Sequence, residues 1–378
     1  MRRFSILFAL LTVAGAGIPS APCEDLRPLL KTLQAVGPKG AGNAEAAKAW
    51  EQLVRTDAAQ LPAVLAALDG ANPLAANWIR TAADTIAERT LRSGGKLPAD
   101  KLERFVLDTG HNPRARRLAY EWLCRVDSKT PDRLIPGMLN DPSVELRRDA
   151  VARVIDEGKT LQGKDETAKA AAVYRRALSS ARDLDQIRLL TDRLRKMKQT
   201  VDLPRHLGFL VRWKVIGPFD NTGEKGFDVA YPPEKEIDFK KTCKGKHGEV
   251  KWIGHVTGDD YGRVDFHKVL KEEKAVVAYA AAEFISEKQQ EVEFRTTSFN
   301  AVKLWLNGNL IDRHNAYHGG SQLDQYVCRA TLRQGKNAIL IKVCQNEQTQ
   351  SWARPWGFHL RVCDESSTAV LSTDRDAP

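Results

Sequence analysis

The chain has 378 residues, of which 42% are hydrophobic and 28% charged, and this composition excludes a largely disordered protein. The length allows two domains, each large enough to bury a core without a metal ion or disulfide bonds. The formal net charge of +10 could suit an acidic partner, but lysine and arginine are interleaved with aspartate and glutamate along the chain. We therefore interpret the surplus as a solvated helix surface, and nucleic acid is not a predicted partner.

The first residues have the features of a secretory signal peptide, which we place at residues 1–23. Two arginines precede an apolar run from Phe4 to Val13, and small residues follow it. This run is shorter than the roughly 20 apolar residues of a membrane helix, and no later segment of the sequence reaches that length. We predict an exported protein, periplasmic or extracellular, that is not transmembrane. Lipidation at Cys23 is an alternative, although Pro22 stands where a lipobox has a small residue.

The sequence has six cysteines, and their spacing matches no CxxC or zinc-binding motif. If cleavage removes Cys23, an odd number remains, so at least one thiol is unpaired. Cys124 lies on an apolar helical stripe and is predicted to be a small buried residue. The other four could form one or two disulfide bonds, and the sequence leaves their pairing open: Cys243, Cys328, Cys344 and Cys363.

Residues 24–202 form the predicted helical domain, because apolar residues recur there at helical spacing between Leu26 and about Met197. Three stretches resemble one another, each with a leucine-rich helix, a turn with Asn or Asp before Pro, and a second helix: residues 61–86, 102–126 and 133–155. This repetition predicts an α-solenoid of helix pairs. In the third stretch we expect Asp141 to cap the second helix, with Pro142 at its first position.

The third stretch also has a set of residues typical of a turn between paired helices: Asp141, Pro142, Val144, Arg147 and Ala150. With these residues it resembles a HEAT repeat. Residues 167–197 look more like a tetratricopeptide (TPR) pair. The resemblance implies a HEAT/TPR-like solenoid, and it implies a binding surface only by analogy.

After the helical domain the pattern changes to short alternating strands separated by Gly, Asn and Asp. A boundary near Asp202 to His206 therefore precedes a predicted β domain, residues 203–366. Gly217-Pro218 is expected to end its first strand with a turn. Seven or eight strands without intervening helices predict an antiparallel β-sandwich, so the fold class is multidomain α + β. Residues 367–378 form a predicted polar tail.

Residues 303–312 (KLWLNGNLID) predict a β-hairpin, because Asn307-Gly308 favours a type I′ turn. That turn sets the cross-strand pairs Leu306–Asn309, Trp305–Leu310, Leu304–Ile311 and Lys303–Asp312. An ion pair between Lys303 and Asp312 marks the outer face, so Trp305 is expected to point away from the core between the sheets. An exposed indole needs a cover, which could be a ligand, another loop or the helical domain.

Three stretches of the β domain carry a resemblance to a known family: VKLWLNGNLI, HNAYHGG and YVCRATLRQGKNAILIKV. Together they resemble the sugar-binding jelly roll that accompanies β-galactosidase-type glycoside hydrolases, part of the galactose-binding-like superfamily. The likeness covers about a third of the domain. It implies the fold and leaves the ligand open.

A second resemblance extends over nearly the whole chain. It rests on the W-x-x-I-G-P-F-D-N motif at residues 213–221, on YPPE at 231–234 and on KVCQNEQTQSWARPWGFHLRV at 342–362. With these motifs the chain resembles exported bacterial proteins in which HEAT-like repeats precede a galactose-binding-like β-sandwich. This resemblance implies an architecture and assigns no activity.

No stretch of the sequence predicts catalysis. The sequence contains no HExxH, no GxSxG, no complete Walker motif GxxxxGK[S/T] and no phosphate-binding glycine triplet after a strand. A glycosidase needs two carboxylates in a deep cleft, and the large catalytic barrel that usually accompanies this jelly roll is missing from the sequence. We predict no catalytic residues and no enzyme, and an unrecognised hydrolase remains the third alternative.

Two features of the β domain could bind a metal ion. His314 and His318 could ligate one, but a third ligand is not evident, so no metal site is predicted. Acidic turns at residues 219–228 and 257–266 offer oxygen ligands for calcium, which galactose-binding-like domains often bind. Neither turn fits the EF-hand spacing. The prediction is therefore no cofactor, with calcium as the alternative.

The best candidate for a ligand site is the loop after the hairpin, NAYHGGSQLDQY. Tyr317 could stack on a sugar ring, while Asn315, His318 and Gln322 supply hydrogen bonds. Trp305 is a further candidate platform. The alternative is that this loop only closes one end of the β-sandwich.

Trp352 and Trp356, in SWARPWGF, either cap the core or form a surface patch.

Taken together, the signal peptide, the helical repeats and the jelly-roll resemblance favour an exported, non-catalytic protein whose β-sandwich binds a carbohydrate or glycan, with the helical repeats as a rigid arm. The alternative is a protein-interaction scaffold that binds an envelope protein through the helical repeats. The sequence leaves the oligomeric state open.

Overall fold

The computed structural model describes residues 25–320 and 322–375. The predicted signal peptide, residues 1–23, and the lipidation alternative at Cys23 lie outside the described residues. The fold is mixed α + β, with helices in the N-terminal part and antiparallel sheets in the C-terminal part. The chain divides into two compact units, residues 1–128 and 129–378.

The first unit is helical over its described residues. Its helices are α1 Arg27–Gln34, α2 Asn43–Leu53, α3 Leu61–Ala66, α4 Pro73–Arg92, α5 Ala99–Leu107 and α6 Pro113–Val126. The predicted turn chemistry is present at the starts of α4 and α6, where an asparagine caps the helix and a proline takes the first helical position. Cys124, which was predicted to be buried, is only partly so.

The capping asparagines also connect neighbouring turns of the first unit. Asn72 Oδ1 accepts the backbone N–H of Leu74 at 2.9 Å, and its Nδ2 donates to the carbonyl of Val36 at 2.8 Å. Asn112 repeats the arrangement, since its Oδ1 caps α6 and its Nδ2 donates to the carbonyl of Leu68 at 3.3 Å. Each side chain therefore starts one helix and fixes it to the preceding turn.

The second unit begins with helices α7 Thr130–Leu134, α8 Val144–Gly163, α9 Thr167–Ser180, α10 Leu184–Lys196 and α11 Leu203–Leu207. The prediction that Asp141 caps α8 is wrong by two residues. Ser143 is the capping residue, with its Oγ 3.4 Å from the N–H of Leu146. Asp141 instead accepts the N–H of Ser143 at 2.8 Å, because Pro142 has no N–H and the chain turns before the helix begins.

Twelve strands are present in the described residues, together with two short helices, α12 Pro232–Lys235 and α13 Phe266–Val269. The strands are β1 Arg212–Asp220, β2 Cys243–Lys244, β3 Glu249–Val250, β4 Ile253–Val256, β5 Val264–Asp265, β6 Val276–Ser286, β7 Gln290–Ser298, β8 Ala301–Leu306, β9 Asn309–His314, β10 Tyr326–Leu332, β11 Gly335–Gln345 and β12 Gly357–Cys363. The longer strands occupy the stretches that the alternation predicted. The two-residue strands β2 and β5 are too short to give a periodic signal.

Two antiparallel sheets share one core. The larger has the order β4-β1-β6-β11-β8-β9 and the smaller has the order β10-β7-β12-β5, while β2 and β3 pair separately. Val215, Ile341 and Leu304 of the larger sheet pack in one cluster with Phe294 and Leu360 of the smaller. We call residues 212–363 the sheet region.

The predicted turn at Gly217-Pro218 is wrong. β1 continues through both residues to Asp220, and a register shift between Ile216 and Phe219 absorbs them as a β-bulge. A bulge lets a strand carry a proline, because the bulged residues leave the ladder of backbone hydrogen bonds.

The segment predicted as a polar tail, residues 367–378, is attached to the sheet region over its described part. Val370 packs against the core between the sheets, and its N–H donates to the carbonyl of Val362 at 3.0 Å. Thr373 donates to the carbonyl of Ile285 at 3.0 Å. These contacts make the segment part of the second unit.

Helices and sheets of the second unit meet directly. Arg195 of α10 forms two hydrogen bonds with Asp260, at 2.8 and 2.7 Å, and Arg361 of β12 donates to the carbonyl of Leu207 at 3.2 Å. Phe209 lies in the helical core just before β1 begins. The change of secondary structure therefore occurs where it was predicted, inside one compact unit. The domain limits 24–202 and 203–366 stay predictions.

None of the helices in the described ranges combines the length and the apolar character needed to cross a bilayer. Cys243, Cys328, Cys344 and Cys363 are free thiols in the described part of the chain, so none of the disulfide bonds left open by the sequence is formed among them.

Candidate functional site

The Asn307-Gly308 turn has the predicted type I′ conformation, with φ of 52° and 81°. Beyond the first two cross-strand pairs, however, the predicted register is wrong. Leu304 pairs with Asp312 and Lys303 pairs with Arg313, because Ile311 is an extra residue in a β-bulge.

The expected ion pair between Lys303 and Asp312 is therefore absent. The Lys303 ammonium instead lies 3.5 Å from Asp228 Oδ1 and 4.3 Å from the centre of the Phe227 ring. Both partners belong to the segment that follows β1, so Lys303 connects the hairpin to this segment.

Trp305 points away from the core between the sheets, as predicted, and its cover is a loop of the same chain. The indole is 8% exposed and packs in a second apolar cluster, on the outer face of the larger sheet. Phe227 and Ile237 of the segment after β1 belong to this cluster. A hollow of about 220 Å³ remains beside the indole, lined by Pro233 and Glu234 among others.

A buried ion pair fixes this covering segment to the sheet. Lys342 of β11 is fully buried, with Nζ 2.7 Å from Glu234 Oε1, 3.0 Å from the Phe227 carbonyl and 2.8 Å from the Val229 carbonyl. The Tyr279 hydroxyl also donates to Glu234. Burial lowers the pKa of Lys342 and raises that of Tyr279. All three ammonium donors are used, so this network has a structural role.

Four segments of the chain converge at one end of the sheet region, and we call them the loop end: residues 220–227, 299–300, 315–320 and 345–355. They carry the motifs FDN, HNAYHGG and QNEQTQSWARP. His318 donates its backbone N–H to the carbonyl of Phe299 at 2.7 Å, which connects two of the segments. Asn300 Nδ2 donates to Gln345 Oε1 at 2.9 Å and connects residues 299–300 to a third segment, residues 345–355.

Asn346 is the centre of the loop end. Its side chain is buried, with Oδ1 3.2 Å from His318 Nε2 and Nδ2 donating to Glu224 Oε1 at 3.1 Å. Its carbonyl accepts the N–H of Ala275 at 3.0 Å. These three neighbours, Glu224, Ala275 and His318, all have positive φ, between 54° and 60°. Such backbone strain in residues other than glycine is concentrated at functional sites.

Asn221 ties the start of the loop end to its other side. Its fully buried Nδ2 donates to the Tyr317 hydroxyl at 3.0 Å and to the Gln345 carbonyl at 2.9 Å. Burial raises the pKa of Tyr317, so its hydroxyl stays protonated. Asn221 Oδ1 and His318 Nδ1 are buried and have no hydrogen-bond partner in the described part of the chain. The loop end thus holds unsatisfied polar atoms, which is uncommon in protein interiors.

Trp352 is the exposed aromatic ring of the loop end. Its indole is 54% exposed and meets His318 edge to face, with ring centres 4.9 Å apart. The backbone beneath it is fixed, because Gln345 Nε2 and Lys274 Nζ donate to the carbonyl of Ala353 at 3.1 and 2.8 Å. Trp356, by contrast, is fully buried in the core. Of the two alternatives predicted for these tryptophans, Trp352 is at the surface and Trp356 packs in the core.

The predicted ligand residues are only partly brought together. Tyr317 and His318 lie side by side in the loop end, with ring centres 6.4 Å apart, but Tyr317 is half-buried. Asn315 and Gln322 are exposed, and the Gln322 carbonyl accepts a hydrogen bond from Thr297 Oγ1 at 3.1 Å. Trp305 lies on β8, five residues beyond the loop-end residue Asn300, roughly 17 Å along the strand.

Four residues of the loop end were not among the predicted site residues: Asn221, Glu224, Asn346 and Trp352. Their signal in the sequence was the acidic turn 219–228, which begins with FDN, and the motif QNEQTQSW. The first had been considered for calcium, the second for architecture and, at Trp352, for a surface patch. The contacts between these motifs join residues more than 100 positions apart, so spacing along the chain could not reveal them.

The described residues hold no group of three or more potential metal ligands. His314 stacks on Tyr326 with ring centres 3.6 Å apart, and its Nε2 lies 2.8 Å from Asp312. In the acidic turns, Asp260 is paired with Arg195, and Asp259 accepts the backbone N–H of Tyr261 at 2.8 Å. These oxygens therefore already have partners within the chain.

No protein-family model matches the chain, and no curated protein is significantly similar to it in sequence. Among solved structures it is similar to a β-glucosidase from Kluyveromyces marxianus in complex with glucose, with 11% identity, 43% of this chain and 17% of that chain covered, and a TM-score of 0.25. A β-glucuronidase from an uncultured Clostridium sp. is also similar, with 15% identity, 42% and 29% covered, and a TM-score of 0.26.

A GH31 α-xylosidase from Xanthomonas citri is similar with 10% identity, 42% and 17% covered, and a TM-score of 0.21. The match thus spans less than a third of the length of each of these enzymes. At such TM-scores, the likeness supports no conclusion about the activity of this chain.

Proposed function

We propose that this is an exported, non-catalytic protein that binds a carbohydrate or glycan at the loop end, with Trp352 as the stacking platform. The observation that carries the proposal is an exposed indole on a fixed backbone, beside the buried Asn346 and its polar neighbours. Sugar sites combine an apolar ring face with a few oriented hydrogen-bonding groups. Asn315, Tyr317 and His318 belong to the loop end, and Gln322 follows its segment 315–320 in the chain.

In this proposal the sheet region is a β-sandwich of the galactose-binding-like jelly-roll type, and the helices form a HEAT/TPR-like solenoid that carries it. Two antiparallel sheets around one core support the first assignment. The repeated roles of Asn72 and Asn112 support the second. The relation to exported bacterial proteins with this architecture and the periplasmic or extracellular location belong to the same proposal.

The test is titration of the purified mature protein against a panel of neutral, uronate-containing and sulfated polysaccharides, by calorimetry. We expect at least one member to bind, and Trp352→Ala to weaken that binding about tenfold, which corresponds to about 1.4 kcal/mol. Phe239→Ala, which also truncates an exposed ring, is the matched control and should bind as the wild type does. Failure of every polysaccharide to bind, or equal affinity of Trp352→Ala and wild type, would contradict the proposal.

The scaffold role of the helical repeats, with an envelope protein as partner, remains a prediction. A pull-down of the full mature chain from envelope extract separates it from the glycan role. If the helical repeats bind the partner, a stoichiometric protein is recovered with the wild type and equally with Trp352→Ala, because the loop end does not take part in that contact.

A further inference from the structure

A hollow of about 470 Å³ borders the segment that carries Trp352. Residues 351–355 form its rim, and residues 263–272 supply the remaining wall. Three cationic side chains line it from two segments: Arg263 and Lys268 from the wall and Arg354 from the rim. Cations that converge from separate segments form a local positive field, which favours an anionic group of a ligand.

The two carboxylates in the same wall leave these cations available. Asp265 Oδ1 accepts the backbone N–H of His267 at 3.1 Å, at the start of α13, and its other oxygen is 3.9 Å from Arg263. Glu272 pairs with Arg354 at 2.8 Å, but both side chains are exposed. An exposed ion pair contributes little to stability, so Arg354 can exchange this partner for an anion of a ligand at little cost.

Lys268 is exposed and forms no ion pair with a carboxylate within 4.0 Å among the described residues. It lies on α13, whose first residue Phe266 is fully buried against Trp356, so the helix is fixed to the core. The ammonium therefore projects from a rigid element and has no partner to exchange. It is the group most available to an incoming anion.

The hollow and the Trp352 platform share one rigid rim. The carbonyl of Arg354 lies 2.7 Å from His267 Nε2, and the carbonyl of Ala353 accepts Lys274 Nζ. Ser351–Ala353 form a 3-10 turn, so Trp352 and Arg354, two residues apart, are separated by only about 4 Å along its axis. A linked chain of sugars that stacks on Trp352 can therefore cross the rim and reach the cations.

We infer that the hollow is an anion subsite of the proposed glycan site, so that the preferred ligand is an acidic glycan that carries carboxylate or sulfate groups. This inference rests on the proposed function and adds the class of ligand to it. Uronate carboxylates and sulfate esters are both planar or compact anions that arginine and lysine bind through charge-assisted hydrogen bonds.

The test compares a neutral galactan, oligogalacturonate and a sulfated galactan, together with the neutral and acidic members of the wider panel. We expect acidic members to bind at least tenfold more tightly than neutral ones in low salt, and this preference to shrink as salt is added. Oligogalacturonate and sulfated galactan separate the two sources of negative charge, and preference for either one supports the inference.

Arg354→Gln and Lys268→Gln are each expected to reduce the preference for acidic glycans severalfold. Lys268→Gln, which lies outside the loop end, is also expected to leave neutral binding unchanged. Lys336→Gln is the matched control, because Lys336 also forms an exposed pair, with Glu283 at 3.0 Å on the larger sheet. Binding confined to neutral glycans, or a preference that both variants retain, would overturn the inference and leave the proposed function standing. Absence of binding across the whole panel would overturn both.

Discussion

Protonation of His206 is expected to destabilise the second unit below neutral pH. His206 lies on α11, where helices meet sheets, with Nε2 3.2 Å from the carbonyl of Ala181. Burial lowers its pKa from 6.5 to about 4, and the positive charges of Arg182 and Arg361 act in the same direction. The folded state therefore favours the neutral ring, which donates one hydrogen bond and carries no charge.

The sign and the size of the effect follow from the two pKa values. In the unfolded chain the imidazole takes up a proton near pH 6.5, whereas in the folded chain it does so only near pH 4. The stabilising contribution is therefore present above about pH 6.5 and is lost as the pH falls toward 4. Below about pH 6.5 the free energy of unfolding falls by about 1.36 kcal/mol for each pH unit, until the pH approaches 4. From pH 7.5, where the ring is neutral in both states, to pH 4.5 the loss is therefore roughly 2.5 kcal/mol.

The assay is urea denaturation of the wild type and His206→Gln at a series of pH values. Glutamine can still donate to the Ala181 carbonyl but does not titrate. His359, whose pKa is also lowered by burial, is present in both proteins and cancels in the comparison. We expect the stability difference between the two proteins to shift by roughly 2.5 kcal/mol in favour of the variant at acidic pH. Parallel loss of stability in both would refute the assignment of the low pKa to His206.

Two further substitutions test the packing of the second unit by denaturant unfolding. Gly158→Ala should cost about 2 kcal/mol, because a Cβ at this position of α8 would overlap with the ring of Tyr174; Gly163→Ala on the same helix, where nothing lies within 4 Å, should not destabilise. Equal effects of the two glycine variants would contradict the overlap. Lys342→Met should cost about 3 to 5 kcal/mol, because it leaves the Glu234 carboxylate, which is only 13% exposed, without its cation. Adding Glu234→Gln should recover part of that loss, and strictly additive effects would contradict a direct ion pair.

Local patterns predicted the elements of the sheet region well. The alternation of apolar and polar residues located the long strands, and Asn307-Gly308 gave the turn, since few residues other than Asn and Gly adopt its positive φ. The same alternation could not locate the bulge at Ile311, because a bulge adds one residue without changing composition. For this reason the expected partner of Lys303 was wrong.

The candidate site was less predictable, because it is assembled by tertiary contacts. Tyr317 and His318 were found from one loop, but Asn346 contacts His318 across 28 positions and Glu224 across 122. The burial of Lys342 also depends on a contact between residues far apart in the sequence. Its strand has the usual alternation, and only the segment that folds over the outer face removes the ammonium from solvent.

The most direct measurement of the central claim is the set of indole N–H signals in a proton–nitrogen correlation spectrum during glycan titration. The sequence has eight tryptophans, and Trp352→Phe identifies the signal of interest. The account predicts that the Trp352 indole signal shifts with saturation, whereas that of Trp305, covered by its own loop, does not. A shift at Trp305 with none at Trp352 would place the ligand elsewhere and contradict the account.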